Sequence, residues 1–170
     1  LVDVYRKEYG IDVARYLPNV ELIERHRCRQ TGLLFFSPRA LAGSPEFYSE
    51  LYSGDDESWA YQNEKWEFET ARRLIGGADV VLDVGCGGGS FLDALEGQVD
   101  ARFGLETSSF GRKQAQGLGL EVFDQTITDH AQEHHNQYDA VTAFQVLEHV
   151  DDPRAFVFSC VEVLKPGGML

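Results

Sequence analysis

The chain of 170 residues has few basic side chains and no long apolar run. Only 15 lysines and arginines stand against 28 aspartates and glutamates, which gives a formal charge of −13. A protein that binds the nucleic-acid backbone needs clustered basic residues to displace counterions, so nucleic acid is not expected as a partner. No apolar stretch reaches the ~18 residues of a membrane-spanning helix, so no membrane partner is expected either. The charged residues 1–10 do not resemble a signal peptide.

Cysteine is also scarce, since Cys28, Cys86 and Cys160 are the only three and are widely spaced. A disulfide framework needs paired cysteines, and a zinc site needs closely spaced ligands. We therefore predict reduced thiols, a cytoplasmic location and no metal. Three histidines, at positions 130, 134 and 135, lie in a polar stretch, and we interpret them as solvated.

The N-terminal third has an irregular sequence pattern, unlike the rest of the chain. We therefore predict a domain boundary between residues 55 and 56. Residues 20–29 and 33–36 read as the two strands of a β-hairpin, with a turn between them. Pro45 is well placed to begin a short helix through residue 51.

From residue 56 to residue 170 the pattern alternates between strands and helices. Apolar runs rich in β-branched residues predict strands at 79–84, 101–105, 120–123 and 138–144. Helices are predicted at 57–75, 90–96, 108–116, 126–136 and 153–164. This alternation indicates an α/β fold, a Rossmann-like, doubly wound and mostly parallel sheet. Such sheets bind their ligands at the carboxyl ends of the strands.

A glycine loop follows the strand at 79–84, with glycines at 85, 87 and 89. Glycines let the backbone approach a ligand closely, and the next helix offers unpaired amides to that ligand. No lysine follows as a phosphate-binding P-loop requires. A dinucleotide loop would need glycine or alanine where Ser90 stands, which disfavours that reading without excluding it.

Two acidic residues indicate the ligand. Asp83, ahead of the loop, would repel a pyrophosphate and attract a cation such as the sulfonium of S-adenosylmethionine, unless it only caps loop amides. Glu106 lies 21 residues beyond Gly85, where an acid can accept both hydroxyls of a nucleoside ribose. A nicotinamide-dependent oxidoreductase stays open as the alternative.

Four segments resemble, in order, the motifs of class I S-adenosylmethionine-dependent methyltransferases. They are residues 81–89, Glu106, residues 138–150 and residues 164–168. The subgroup most resembled contains ubiquinone-biosynthesis-type small-molecule O-methyltransferases. The resemblance implies S-adenosylmethionine as cofactor, S-adenosylhomocysteine as product, and a small-molecule acceptor, with hydroxyl compounds, sugars and lipid-linked precursors as candidates.

The resemblance also implies which residues bind the cofactor. The glycines would line its methionine and ribose portions, positions 107 and 125–127 its adenine, and positions 144 and 145 its sulfonium side. A helix ahead of the first strand would meet its carboxylate. The expected set is Asp83, Gly85, Cys86, Gly87, Gly89, Glu106, Thr107, Thr126, Ile127, Phe144, Gln145, Tyr61 and Lys65. His149 is the candidate catalytic base, although it could simply help to form the loop before the next helix.

The chain departs from the family pattern in two places. Related enzymes often carry a cysteine-pair zinc knuckle, but here Thr31 stands where the partner of Cys28 would be, so a hairpin without metal is expected. The family fold has seven strands, whereas the chain stops as the fifth begins. We therefore expect the N-terminal part of an enzyme, which could bind cofactor yet be inactive alone. We also expect self-association through an uncovered edge of the strand at 138–144.

Overall fold

The computed structural model describes residues 2–17, 22–38, 43–44, 46–47, 50 and 65–170. The chain divides into two compact units, residues 1–56 and residues 57–170, and each is described by itself.

The first unit contains a helix and a β-hairpin. Helix α1 spans Val2–Tyr9, and strands β1 (Glu24–Arg27) and β2 (Leu34–Ser37) pair antiparallel. The turn is closed by hydrogen bonds that Cys28 N donates to Leu33 O and Gly32 N donates to Cys28 O. The predicted hairpin is thus confirmed with shorter strands, whereas most of the helix predicted at 45–51 lies outside the described residues.

The second unit alternates strands and helices as the pattern predicts. Its strands are β3 (Val80–Val84), β4 (Ala101–Leu105), β5 (Glu121–Phe123), β6 (Tyr138–Thr142) and β7 (Leu164–Met169). Its helices are α2 (Trp66–Leu74), α3 (Ser90–Asp93), α4 (Ser109–Gly117), α5 (Ile127–His130) and α6 (Pro153–Val163). The strands form one parallel sheet in the order β5-β4-β3-β6-β7.

Short polar side chains begin several of these helices. The Asp152 carboxylate accepts hydrogen bonds from the amides of Arg154 and Ala155 at the start of α6, and Ser108 caps α4 in the same way. The helix predicted at 126–136 is shorter than expected, because helical structure ends after His130 and gives way to turns. Of the helix predicted at 57–75, residues 57–64 lie outside the described residues.

Apolar side chains cover both faces of the sheet, which is the usual arrangement for parallel strands. One face packs Val81, Phe91, Leu92 and Leu95 with other buried residues. The opposite face packs Leu82, Leu105, Val141, Cys160 and Val163 among others. The carboxyl ends of β3, β4 and β5 lie at one edge of the sheet between these layers.

The expectation of an uncovered edge beside residues 138–144 is wrong. Strand β7 pairs with β6, with Tyr138 opposite Leu164 and Ala140 opposite Met169, across an irregular register. Lys165 Nζ also donates to both carboxylate oxygens of Asp139 at 2.8 Å. The strand begins at Leu164, within the last of the four motif segments, so the premise for self-association through β6 is lost.

Candidate functional site

The glycine loop after β3 is packed against its neighbours at two of its glycines. Gly85 and Gly89 have φ angles of +72° and +85°, which side chains rarely adopt. A Cβ at Gly85 would lie 2.6 Å from Val146 Cγ2, and one at Gly89 would lie 2.4 Å from Leu120 Cδ1. The fold itself therefore requires glycine at these two positions, whatever the loop binds.

Asp83 lies at the end of β3 and is buried, with 3% of its surface exposed. Its Oδ1 accepts a hydrogen bond of 2.7 Å from Thr142 Oγ1 on the neighbouring strand β6. The pKa of this carboxyl is raised to about 7, chiefly by burial and also by the charge of Glu106, while the Thr142 hydroxyl and Lys65 oppose the rise. The hydrogen bond that Asp83 accepts among the described residues comes from a side chain and not from a loop amide, so the alternative in which it only caps those amides is wrong. The attraction of a cationic ligand stays a prediction.

Glu106 follows β4 and holds the glycine loop through backbone amides. One carboxylate oxygen accepts from Gly87 N at 2.9 Å, and the other accepts from Ser108 N at 2.6 Å. A carboxylate oxygen has two lone pairs, so each oxygen can accept a further hydrogen bond. Arg112 donates to Glu106 O at 2.8 Å and pairs with Asp124 at 2.7 Å, which ties the ends of β4 and β5 together.

Cys86 lies beneath the loop, where it is 8% exposed. Burial raises the pKa of its thiol, and the nearby charges of Asp83 and Glu106 raise it further, so the thiol stays protonated. A Cβ at Gly104 on β4 would lie only 2.5 Å from Cys86 Sγ. The cysteine therefore packs between the loop and β4 and is not an activated nucleophile.

Lys65 immediately precedes α2, and its Nζ lies 5.7 Å from the centre of the Phe68 ring. Its charge also lowers the pKa of Asp83, which places a cation within electrostatic range of that carboxyl. Tyr61, predicted together with Lys65, lies outside the described residues.

The two residues expected near the sulfonium lie after β6 and differ in environment. Phe144 packs into an aromatic cluster with Phe68 and Phe91, with ring centres 4.9 and 4.7 Å away. Gln145 is exposed and has a φ angle of 56°, a left-handed conformation that is uncommon for a residue with a side chain. Its Nε2 lies 3.5 Å from Glu67 Oε1. The structure thus gives Phe144 a packing role that the sequence did not suggest.

The residues expected beside adenine lie at the ends of β4 and β5. Thr107 is exposed directly after Glu106. Thr126 caps α5, since its hydroxyl accepts from Asp129 N at 3.2 Å and donates to Asp129 Oδ2 at 2.6 Å. Ile127 is only 3% exposed and packs in the core. Its side chain therefore does not present a surface for an adenine ring, contrary to expectation.

His149 ends a 3₁₀ turn, Leu147–His149, after β6 and is exposed. Its backbone N–H donates to Val146 O at 2.9 Å, so the residue belongs to the loop that packs on Gly85.

The prediction that the histidines at 130, 134 and 135 are solvated is wrong for His130, which is completely buried. The nitrogens of its ring form hydrogen bonds with Gln125 and Tyr138, and the ring stacks on the ring of His134 with the two centres 3.9 Å apart. The alternation of apolar and polar residues gave no sign of this network. A histidine followed eight residues later by a strand tyrosine was the available clue.

Among the described residues, no group of three or more His, Cys, Asp or Glu side chains could hold a metal ion. None of the helices described is long and apolar enough to cross a bilayer. In the hairpin, the Thr31 hydroxyl hydrogen-bonds to Cys28 and lowers the pKa of that thiol.

A family model described as a methyltransferase domain matches residues 25–170, and the chain belongs to that family. Among curated proteins, it is 42% identical over 94 residues to the ubiquinone biosynthesis O-methyltransferase of Salmonella arizonae. The Yersinia pestis protein of the same name is 44% identical over 94 residues. Each match covers 52% of this chain but only 39% of the relative.

Solved structures agree on the fold. A putative methyltransferase of Haloferax volcanii, solved with its activator Trm112, has a TM-score of 0.60 at 21% identity, covering 71% of this chain and 57% of that one. CalS10 of Micromonospora echinaspora, an amino pentose methyltransferase with bound S-adenosylmethionine, has a TM-score of 0.56 at 24% identity, covering 62% and 50%. The sheet is therefore the Rossmann-like fold of class I methyltransferases.

Proposed function

We propose that the chain provides the S-adenosylmethionine site of a methyltransferase that acts on a small molecule, most simply on a hydroxyl group. The observation that carries the proposal is the position of Glu106. Its carboxylate lies at the end of β4 beside the glycine loop and retains a free lone pair on each oxygen. These two acceptor oxygens fit a ribose diol, whose two hydroxyls need two acceptors side by side.

The charges around the site support a cationic ligand over an anionic one. The charge of Glu106 raises the pKa of Asp83, and the positive charge of Lys65 lowers it. A sulfonium or an α-ammonium group would favour the ionised form of Asp83, whereas a pyrophosphate would oppose it. The contact with Asp83 is electrostatic, since Thr142 already occupies Oδ1.

S-adenosylmethionine supplies an electrophilic methyl group on a good leaving group. The protein must bind the cofactor, exclude water and align the acceptor, and alignment alone can be worth about 7–11 kcal/mol. We assign the remaining cofactor contacts to the loop glycines, Thr107, Thr126 and Gln145. We assign proton removal from an acceptor hydroxyl to His149, because it lies in the turn after β6 and histidine is the side chain that most often serves as a general base.

The acceptor class rests on the names of the relatives. The curated matches act in ubiquinone biosynthesis as O-methyltransferases, and one structural neighbour acts on an amino pentose. We therefore propose a hydroxyl group of a small molecule as acceptor, with sugars and lipid-linked precursors as candidates. The three cysteines are free, which fits a reducing compartment, and we propose the cytoplasm.

Calorimetry on the purified chain tests the cofactor. We expect heat of binding for S-adenosylmethionine and S-adenosylhomocysteine and none for NADH. Binding of NADH with no heat for either adenosyl compound would replace the proposal with a nicotinamide-dependent oxidoreductase.

A methyl-transfer assay with catechol and amino-sugar acceptors then tests the reaction, with His149→Ala as the variant and His135→Ala, an exposed histidine remote in sequence, as its control. We expect turnover to fall at least 100-fold in His149→Ala only. Equal rates in both variants would remove the assignment of the base. Cofactor binding without turnover on any acceptor would instead favour a binding module.

A further inference from the structure

Arg112 on helix α4 joins the loops that follow β4 and β5. Its Nη1 donates to Glu106 O at 2.8 Å, and its Nη2 lies 2.7 Å from Asp124 Oδ2. The Arg112 side chain is 17% exposed, whereas that of Asp124 is 63% exposed. Because the guanidinium is planar and rigid, its two nitrogens hold these two oxygens in a fixed relative position. The carbonyl of Glu106 is therefore anchored both to α4 and to the loop after β5.

The main chain of Glu106 is held on both sides of its Cα atom. On one side its N–H donates to Phe123 O at 3.1 Å, and on the other side its carbonyl accepts from Arg112. Residues 106–108 lie outside the helices and strands, so regular secondary structure does not fix this turn. The two hydrogen bonds hold the peptide groups that flank Cα, and they therefore set the direction in which the Glu106 side chain leaves the chain.

Arg112 contacts the turn 106–108 a second time, through its main chain. Its N–H donates to Ser108 O at 3.0 Å, and Ser108 N in turn donates to Glu106 Oε1 at 2.6 Å. Ser108 is buried, with 4% of its surface exposed. Arg112 thus holds the turn at both its first and its last carbonyl. The position of the amide that binds the Glu106 carboxylate depends on this arrangement.

The two contacts of the guanidinium differ in what they contribute. An ion pair with a largely exposed carboxylate such as Asp124 is worth little, because solvent screens it. The hydrogen bond to Glu106 O comes from a charged, part-buried donor, and charge-assisted hydrogen bonds are stronger than neutral ones. We therefore attribute the hold on Glu106 to Nη1 and the orientation of the guanidinium to Nη2.

We propose that Arg112 is a positioning residue for the ribose, which holds the turn 106–108 so that both carboxylate oxygens of Glu106 meet the 2′ and 3′ hydroxyls of the cofactor. The inference rests on the proposed function, because it needs a nucleoside at Glu106. Each oxygen already accepts one amide, so the direction of its remaining lone pair is set by that amide. A tilt of the turn would misalign both ligand hydrogen bonds together, and hydrogen bonds weaken steeply as they bend.

Binding of S-adenosylhomocysteine and of its 2′-deoxy analogue, measured by calorimetry, tests the proposal. The analogue lacks one of the two hydroxyls that would donate to Glu106, so the wild-type chain should prefer the parent by about ten-fold or more. Arg112→Met removes both guanidinium contacts and keeps an unbranched side chain. In this variant the preference should shrink about three- to ten-fold. An arginine with a merely structural role would instead weaken both compounds by the same factor and leave the preference unchanged.

Three further variants separate the contacts of Arg112. Lys113→Met removes an exposed cation from the next position of α4 and should keep the wild-type preference. Asp124→Asn removes the ion pair and leaves the carbonyl contact, so most of the preference should remain. Arg112→Lys keeps the charge, but one ammonium group cannot hold both oxygens as the guanidinium does, so the preference should shrink. Thermal unfolding of every variant is followed in parallel, and Arg112→Lys decides the question should Arg112→Met fail to fold.

The outcomes separate the inference from the proposed function. If the wild-type chain prefers the parent and the Arg112 variants keep that full preference, the role of Arg112 is wrong while the cofactor assignment stands. Equal losses for both compounds would mean that Arg112 only stabilises the fold, which also overturns the inference. A wild-type chain that binds the two compounds equally would remove the ribose contact of Glu106, and the role of Arg112 with it. If S-adenosylhomocysteine does not bind at all, the proposed function itself fails.

Discussion

Asp83 and Thr142 stand directly opposite each other on the central strand β3 and its neighbour β6, and the Thr142 hydroxyl donates to Asp83 Oδ1 at 2.7 Å. The carboxyl is almost completely buried, so this hydroxyl is the hydrogen-bond donor that makes its burial tolerable. The pair links the strand that carries the glycine loop to the strand that precedes His149.

Replacement of Thr142 by valine keeps the side-chain shape and removes the donor. We expect the free energy of unfolding at pH 8 to fall by about 1–3 kcal/mol, because the buried carboxylate loses its partner. Thr142→Ser keeps the hydroxyl and should lose much less. Urea unfolding of both variants measures the difference, and a valine variant as stable as the serine variant would show that the hydrogen bond does not stabilise Asp83.

The raised pKa of Asp83 predicts how stability depends on pH. Its value rises from 3.8 to about 7, so between these values the folded protein holds a proton that the unfolded chain has released. The stabilisation is complete below about pH 4 and is lost as the pH rises through about 7. A difference of about three in pKa corresponds to about 4 kcal/mol.

The measurement compares wild type with Asp83→Asn by denaturant unfolding from pH 4 to pH 8. The stability of wild type relative to this variant should decrease as the pH increases, by up to about 4 kcal/mol. Glu133→Gln removes an exposed acid and should show no such trend. A wild-type advantage that grows with pH would mean that Asp83 is ionised in the folded protein.

The sequence pattern predicted the order of the strands along the chain, but it did not predict the last strand of the sheet. Strands β3, β4, β5 and β6 are apolar and were predicted close to their observed positions. Strand β7 begins in Leu164–Lys165–Pro166–Gly167–Gly168, whose proline and glycines normally interrupt a strand. It is held by pairing with β6 and by the Lys165–Asp139 ion pair, which are contacts between distant residues.

The same limit applies to the site. The glycine loop and the two acids were located because residue type and spacing along the chain are enough to identify them. The burial of His130 was missed because its partners, Gln125 and Tyr138, come from two other elements. The need for glycine at position 104 was missed for a similar reason, since Cys86 contacts it from the loop after the neighbouring strand β3.

The contact between Gly104 and Cys86 gives a third prediction. Alanine at position 104 would put its Cβ 2.5 Å from Cys86 Sγ and 3.3 Å from Leu92 Cδ1. We expect Gly104→Ala to lower the free energy of unfolding by about 1–3 kcal/mol through overpacking.

The double variant Gly104→Ala/Cys86→Ala supplies the control, because it removes the sulfur that the new methyl group meets. It should recover part of the lost stability, although the Cβ of residue 86 would still be 3.2 Å away. A double-mutant cycle by urea unfolding measures the coupling. Independent, additive effects of the two changes would show that the sulfur is not the obstacle.

Glu106→Gln gives the last prediction, which concerns recognition. The wild-type carboxylate accepts from Gly87 N and Ser108 N, and a glutamine would turn an NH₂ group toward one of these amides. We expect S-adenosylhomocysteine to bind about 10- to 100-fold more weakly, because hydrogen bonds to a charged acceptor are lost. Glu121→Gln, an exposed acid on β5, should bind as wild type does.

The 2′-deoxy analogue of S-adenosylhomocysteine separates a ribose contact from a change in loop shape. If Glu106 holds the ribose, the wild-type chain should prefer the parent over the analogue, and Glu106→Gln should bind the two nearly equally. A variant that is weakened but keeps the full preference would mean that Glu106 shapes the glycine loop without touching the sugar. Calorimetry at one salt concentration, with thermal unfolding of each variant alongside, provides both comparisons.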